Sequence, residues 1–367
     1  MDAKTAARIF HDWAETEGLM PDGPVSPVSS AALEMGLVQP VTDAGKLLLR
    51  TKQVKAVSFN EKRGEIIAFL KRAAPTSKKL ISQLPAFVDD VPIRYRMGVP
   101  SQIGNEPPQP FGGPPFVMRT VAGQEFFTCG SSISVGNFRD AGTLSCLVRD
   151  AAGQMFGLSN NHVTGSCSYA GIGLPIVAPG VIDVVPNGLN PFTLGFHAKA
   201  LPLVAGAADV VDPKGNSDAA IFSIRDEGLV SSFQGNAYDT PGAVDDLIDN
   251  MDVEKVGRTT GHTRGRVLGQ LHGAFSVSYH ATAYGFSGSV PLDPVFAISG
   301  AADLFSDSGD SGSLITALDA NGQRIAVGIV VAGMADTTAA GGKITIALPI
   351  KPILAALQVT LVCGHNI

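Results

Sequence analysis

The chain has 367 residues, of which 45% are apolar and 16% charged, and its net charge is −6. That length leaves room for two domains, or one large domain with an extension, while the acidic balance and the lack of any basic run exclude a phosphate-tracking surface, so no nucleic-acid partner is expected. No apolar run reaches spanning length, so no membrane partner is expected, and the opening MDAKTAARIFHDWAETEGLM lacks the apolar stretch of a secretory signal, which points to a cytoplasmic protein.

Ala3, Ala6, Ile9, Phe10 and Trp13 recur at helical spacing and predict a helix over 2–17. Residues 20–45 mix Pro, Ser and Gly and assign no element. KQVKAVSFN alternates as a strand, NEKRG is a turn, and GEIIAFLKR is a second strand ended by Pro75. Thr76 is placed to cap a short helix with Leu80, Ile81 and Leu84 on one face, and VPIRYRM alternates again. Residues 1–98 therefore read as a small α+β module. Residues 99–116, VPSQIGNEPPQPFGGPPF, are packed with Pro and Gly and read as a linker.

From 117 onward the texture changes. Short apolar or alternating runs such as MFGLSNNHV, DAAIFSI, EKVGRTTG, SGSLITALD, RIAVGIVVAG and KITIALPI are separated by Gly, Asn, Asp and Pro. This is the pattern of a mainly β barrel or sandwich. KPILAALQV predicts a short C-terminal helix with Ile353, Leu354 and Leu357 on one side. VGRTTGHTRGRV lacks the G-x-x-x-x-G-K-[ST] spacing of a phosphate loop and reads as a strand with a hairpin turn. Four cysteines are too few for a disulfide scaffold, and their spacing matches no zinc pair; free thiols are the default, although Cys146 and Cys167 flank the His162 segment closely enough to pair. No cofactor and no metal is called for.

LFSDSGDSGSLI holds Asp-Ser-Gly twice. A serine hydroxyl needs an adjacent base, an orienting group for that base, and N–H donors aimed at the developing oxyanion. Only Ser311 has glycine at both −2 (Gly309) and +1 (Gly312); Ser308 has Ser306 at −2. The base candidate is His162, at the end of the run GLSNN, with His262 in TTGHTRG its nearest rival. The orienting acid candidate is Asp218, leading into Ala219-Ala220-Ile221-Phe222, with Asp209 and Asp212 as alternatives.

Leu158-Ser-Asn-Asn-His162-Val, Asp218-Ala-Ala-Ile and Gly309-Asp-Ser-Gly-Ser313 together resemble the three catalytic blocks of the chymotrypsin/trypsin-like serine peptidases, in a wording close to the bacterial members. The resemblance covers roughly 117–360. It implies two six-stranded antiparallel β-barrels over 117–367, with the site in the cleft between them. It implies His162 as general base, Asp218 as its orienter and Ser311 as nucleophile of an endopeptidase whose partner is a protein or peptide substrate. The N–H groups of Gly309 and Ser311 would form the oxyanion hole. Gly328-Ile-Val-Val331-Ala332-Gly333 resembles the strand that pairs with substrate backbone and walls the primary pocket. Val331 departs from the serine often found there, which removes one support of the aspartate. Phe305, six before the nucleophile, is expected at the pocket base with Ser306 and Ser308 nearby, favouring small or apolar residues over Arg or Lys.

No Ile-Val-Gly-Gly type start is present to insert a new amino terminus beside Asp310, so activation by that route is not expected. Three other readings stand beside the endopeptidase: a protease-like scaffold that no longer cuts, a protease latent until a partner protein activates it, and an esterase. The last is disfavoured because Ser313 replaces the final glycine of the Gly-x-Ser-x-Gly elbow.

Overall fold

A computed structural model describes residues 1–20, 36, 41–103 and 113–367. Most of the unassigned stretch 20–45 and residues 104–112 of the 99–116 linker lie outside the described residues.

Helix α1 (Ala3–Thr16) starts where Asp2 accepts the Thr5 N–H at 2.6 Å, a side-chain N-cap. Its Ala6, Phe10 and Trp13 are buried as the spacing predicts, while Ile9 is only partly so. They pack on the sheet of β1 (Val54–Asn60), β2 (Glu65–Leu70) and β3 (Val91–Met97), with α2 (Asp43–Lys52) alongside. The predicted short helix is α3 (Lys78–Ile81), but Ser77, not Thr76, caps it, accepting from the Leu80 N–H at 3.3 Å. Leu84 is buried, whereas Leu80 and Ile81 face solvent, because four residues make too short a helix to turn all three inward.

Beyond the module come β4 (Val99–Pro100) and β5 (Gln102–Ile103). The first β unit contains β6 (Ser132–Val135), β7 (Cys146–Asp150), β8 (Met155–Ser159), the one-turn helix α4 (Asn161–Thr164), β9 (Pro175–Ala178), β10 (Phe192–Ala200) and β11 (Ala220–Ile224). These strands run antiparallel in the order β6-β9-β10-β11-β8-β7, extended by the short strands Gly142–Thr143 and Val359–Leu361. The second unit is built from β12 (Asp252–Gly257), β13 (Gly261–Leu271), β14 (Phe275–Ala281), β15 (Phe286–Leu292), β16 (Phe296–Gly300), β17 (Leu314–Leu318), β18 (Arg324–Ala335) and β19 (Lys343–Pro349). Six of these close on themselves, β12-β17-β18-β19-β16-β13 and back to β12, all antiparallel. The C-terminal helix is α5 (Ile350–Leu357), with Ile353, Leu354 and Leu357 buried.

The fold is thus mainly β with two barrel-like units after an α+β module. The second unit contains a closed six-stranded barrel; the first is a curled eight-stranded sheet whose end strands share no neighbour among the described residues. One apolar core crosses both units, joining Cys146, Leu158 and Ile221 to Leu314, Ile329, Val331 and Ile346. All four cysteines are free thiols. The module's sheet continues into the barrel through β1 and β13, with Ser58 opposite Leu271. Arg96 adds an ion pair to the fully buried Asp336 at 2.7 Å.

Candidate active site

The run that carries His162 does not end on it. Strand β8 stops at Ser159, and His162 sits on the turn of helix that follows. The two asparagines ahead of it explain why it is held there. Asn160 Nδ2 donates to the Asp218 carbonyl at 2.6 Å, tying the end of β8 to the start of β11. Asn161 Nδ2 donates to the Leu201 carbonyl at 2.9 Å and to Ser168 Oγ at 2.7 Å, which pins the loop behind the histidine.

This places His162 Nδ1 2.6 Å from Asp218 Oδ2, while the His162 backbone N–H donates to Oδ1 at 3.0 Å. Asp218 is fully buried. Its Oδ2 also accepts from Tyr279 Oη at 3.0 Å. A carboxylate so placed orients the imidazole with its Nδ1 edge toward Asp218. Burial, and then the Asp218 charge, push the Tyr279 phenol well above its ordinary range, so it stays a donor. Tyr279 is thus a second side-chain partner of the Asp218 carboxylate beside His162. Sequence reasoning missed it, because one tyrosine in an alternating strand carries no signal of its tertiary partner. The rival His262 instead pairs with Glu254 at 2.6 Å and does not line the cleft, and neither Asp209 nor Asp212 has a polar contact with His162 among the described residues.

Ser311 and His162 line one cleft, together with Ser306, Ser308, Gly309, Val331, Ala332 and Gly333. Ser311 Oγ donates to the Val331 carbonyl at 3.3 Å and makes no hydrogen bond to His162 among the described residues. The backbone around it is fixed tightly. Gly309 and Gly312 have φ of 96° and 95°. A Cβ on Gly309 would collide with Thr259 and Arg258, and one on Gly312 with the Thr143 carbonyl and Ser159. Both glycines are thus required by backbone conformation and by space. Thr143 holds the loop, its N–H donating to Ser311 O at 2.8 Å and its Oγ1 to Gly309 O at 2.9 Å. Neither the Gly309 nor the Ser311 N–H has a protein acceptor among the described residues.

Asp310, between them, is fully buried. The turn joining β12 to β13 wraps it: Thr259 N–H donates to Oδ1 at 2.7 Å, Thr260 N–H at 3.2 Å, and Thr260 Oγ1 to Oδ2 at 2.6 Å. The VGRTTGHTRGRV hairpin therefore does grip an anion, but the anion is a carboxylate of the chain itself. Lys255, also fully buried, places Nζ 3.2 Å from Asp310 Oδ2. Burial lowers the lysine pKa and Asp310 opposes that shift. The Lys255 amino group thus stands beside the Asp310 carboxylate inside the barrel core. Sequence reasoning missed Lys255, since a lysine in a strand normally reads as an exposed position.

Phe305 is a correction. It is buried in the core of the closed barrel with Val267 and Ile298 and does not line the cleft, because its side chain turns inward over Gly265. The cleft floor is more polar than expected. Ser306 Oγ shares a 2.6 Å hydrogen bond with Thr345, and Lys343 forms an ion pair with Asp307 across the lining.

No family model and no curated protein matches this sequence. Among solved structures the chain is similar to protease A of Thermobifida fusca, with 19% identity over 65% of this chain and 98% of that one and a TM-score of 0.41. It is also similar to the Nocardiopsis protease, at 18% identity, 64% and 97% coverage and a TM-score of 0.40. A Cellulomonas bogoriensis chymotrypsin matches at 17% identity, 64% and 97% coverage and a TM-score of 0.40. These structural neighbours are chymotrypsin-like bacterial serine proteases.

Proposed function

We propose that the chain is a serine endopeptidase acting through an acyl-enzyme. The observation that carries this reading is the buried Asp218–His162 pair facing a cleft that also holds Ser311 and two unclaimed N–H groups. Ser311 Oγ attacks the substrate carbonyl carbon as Nε2 of His162 takes its proton. Asp218 stabilises the imidazolium, and the Gly309 and Ser311 N–H groups receive the oxyanion. The imidazolium then protonates the leaving amine, and water repeats the sequence to release the acyl group. Digestion of a peptide library by the purified chain tests this: cleavage should fall at least a thousandfold in Ser311→Ala and remain in Ser308→Ala.

A latent form of the same enzyme is the second reading, and one contact favours it. Strand β4 pairs with β18, Pro100 opposite Met334, and the Ser101 N–H donates to the Gly333 carbonyl at 2.8 Å. Ser101, Gln102 and Ile103 thereby line the cleft, on the strand edge an extended peptide would use. Ser101→Pro removes that donor; a severalfold rise in peptide cleavage supports latency, and no change counts against it.

A further inference from the structure

A second cluster of reactive side chains lies away from the cleft, where α1 meets the turn between β13 and β14. His11 and Asp12 come from the helix, and His272 directly follows β13. One ligand atom from each lies within 4.8 Å of the other two. The two imidazole rings pack edge to face with centroids 5.2 Å apart. His272 is fixed by its backbone N–H, which donates to the Val57 carbonyl at 2.7 Å. The open side of the turn is Gly273, where a Cβ would stand 3.9 Å from His11 Nε2.

One buried polar atom of this cluster is unsatisfied. His11 Nδ1 is buried without a hydrogen-bond partner among the described residues. Its nearest carboxylate oxygen, on Asp12, is 3.6 Å away, and Glu15 Oε1 is 3.7 Å from Nε2. Both distances exceed a hydrogen bond. A buried ring nitrogen left in that state is costly unless another group uses its lone pair.

We propose that His11, Asp12 and His272 bind one divalent transition-metal ion, with zinc the best match. Two imidazoles and one carboxylate form a borderline-soft N/O set suited to zinc, cobalt or nickel rather than to calcium or magnesium. Tetrahedral zinc with bonds of about 2.0–2.1 Å needs ligand atoms roughly 3.3 Å apart, so closure asks for side-chain movements of about 1 Å. Water completes the fourth position. The ion joins the N-terminal helix to the turn between β13 and β14 of the second β unit, and because the unfolded chain separates the ligands, it stabilises the folded state.

The test uses the full chain, stripped with chelator and dialysed. Titration with cobalt should give one ion per chain, a visible d–d band of tetrahedral type, and a raised Tm; zinc should displace the cobalt. His272→Gln and Asp12→Asn should each bind at least tenfold more weakly while keeping the metal-free circular dichroism and Tm of the parent. His280→Gln should bind as the parent does. Should His272→Gln fail to fold, Asp12→Asn at its partly exposed position carries the test. The proposal is overturned by the lack of stoichiometric binding in the parent, by unchanged binding in the variants, or by a thiolate charge-transfer band, which would place the ion on a cysteine such as the exposed Cys363.

Discussion

Tyr279 Oη donates to Asp218 Oδ2 at 3.0 Å on the same oxygen that faces His162 Nδ1. The phenol comes from β14, in the second β unit, and the carboxylate from the mouth of β11 in the first. One buried hydrogen bond therefore ties the Asp218 carboxylate of the first β unit to the second. A hydrogen bond to a charged group contributes about 1.5–3 kcal/mol. Tyr279→Phe should lower kcat/KM by roughly tenfold or more with little change in KM. Steady-state kinetics on a peptide substrate measure both. A variant as active as the parent would leave Tyr279 a packing residue.

Lys255→Met should destabilise the chain by about 3–5 kcal/mol, since it strands the buried Asp310 charge without its cation. Urea unfolding of the single variants and of Lys255→Met with Asp310→Asn checks this. The double variant should recover part of the loss, the mark of a direct pair.

The amount legible in the sequence differed between backbone and partners. Alternation placed β1 and β3, and helical spacing placed the buried face of α1, because those patterns are local. Ser311 was separable from Ser308 because the φ values at Gly309 and Gly312 are a local demand that leaves a residue signature. Tyr279 and Lys255 were not legible, because their roles depend on pairings between distant strands. Phe305 was misplaced for the same reason: an offset from the nucleophile gives a position along the chain but not the direction of the side chain, which here follows the space above Gly265.

The Lys343–Asp307 pair in the cleft gives a specificity prediction. With the pair intact, the lining carries no net charge from these two residues. Asp307→Ala leaves the lysine alone. Preference for Glu or Asp before the cleaved bond should then rise about tenfold or more over the parent, about 1.4 kcal/mol. Peptide-library profiling of both proteins reads the change directly.

His197, on β10, is 4% exposed, and its Nδ1 has no hydrogen-bond partner among the described residues. Burial holds its pKa below the ordinary 6.5. Between the lowered folded value and 6.5 the unfolded chain binds a proton that the folded chain does not, so stability rises with pH across that window and is lost as pH falls below 6.5. Unfolding free energies measured from pH 7 downward should show this slope, and His197→Gln should flatten it.

The most direct test of the account is covalent labelling of the full chain by a fluorophosphonate, with the adduct mapped by mass spectrometry. The account predicts a single adduct on Ser311, retained in Ser308→Ala and absent from Ser311→Ala and His162→Ala. Labelling that persists in Ser311→Ala, or a parent chain that is never labelled even with Ser101→Pro, would contradict it.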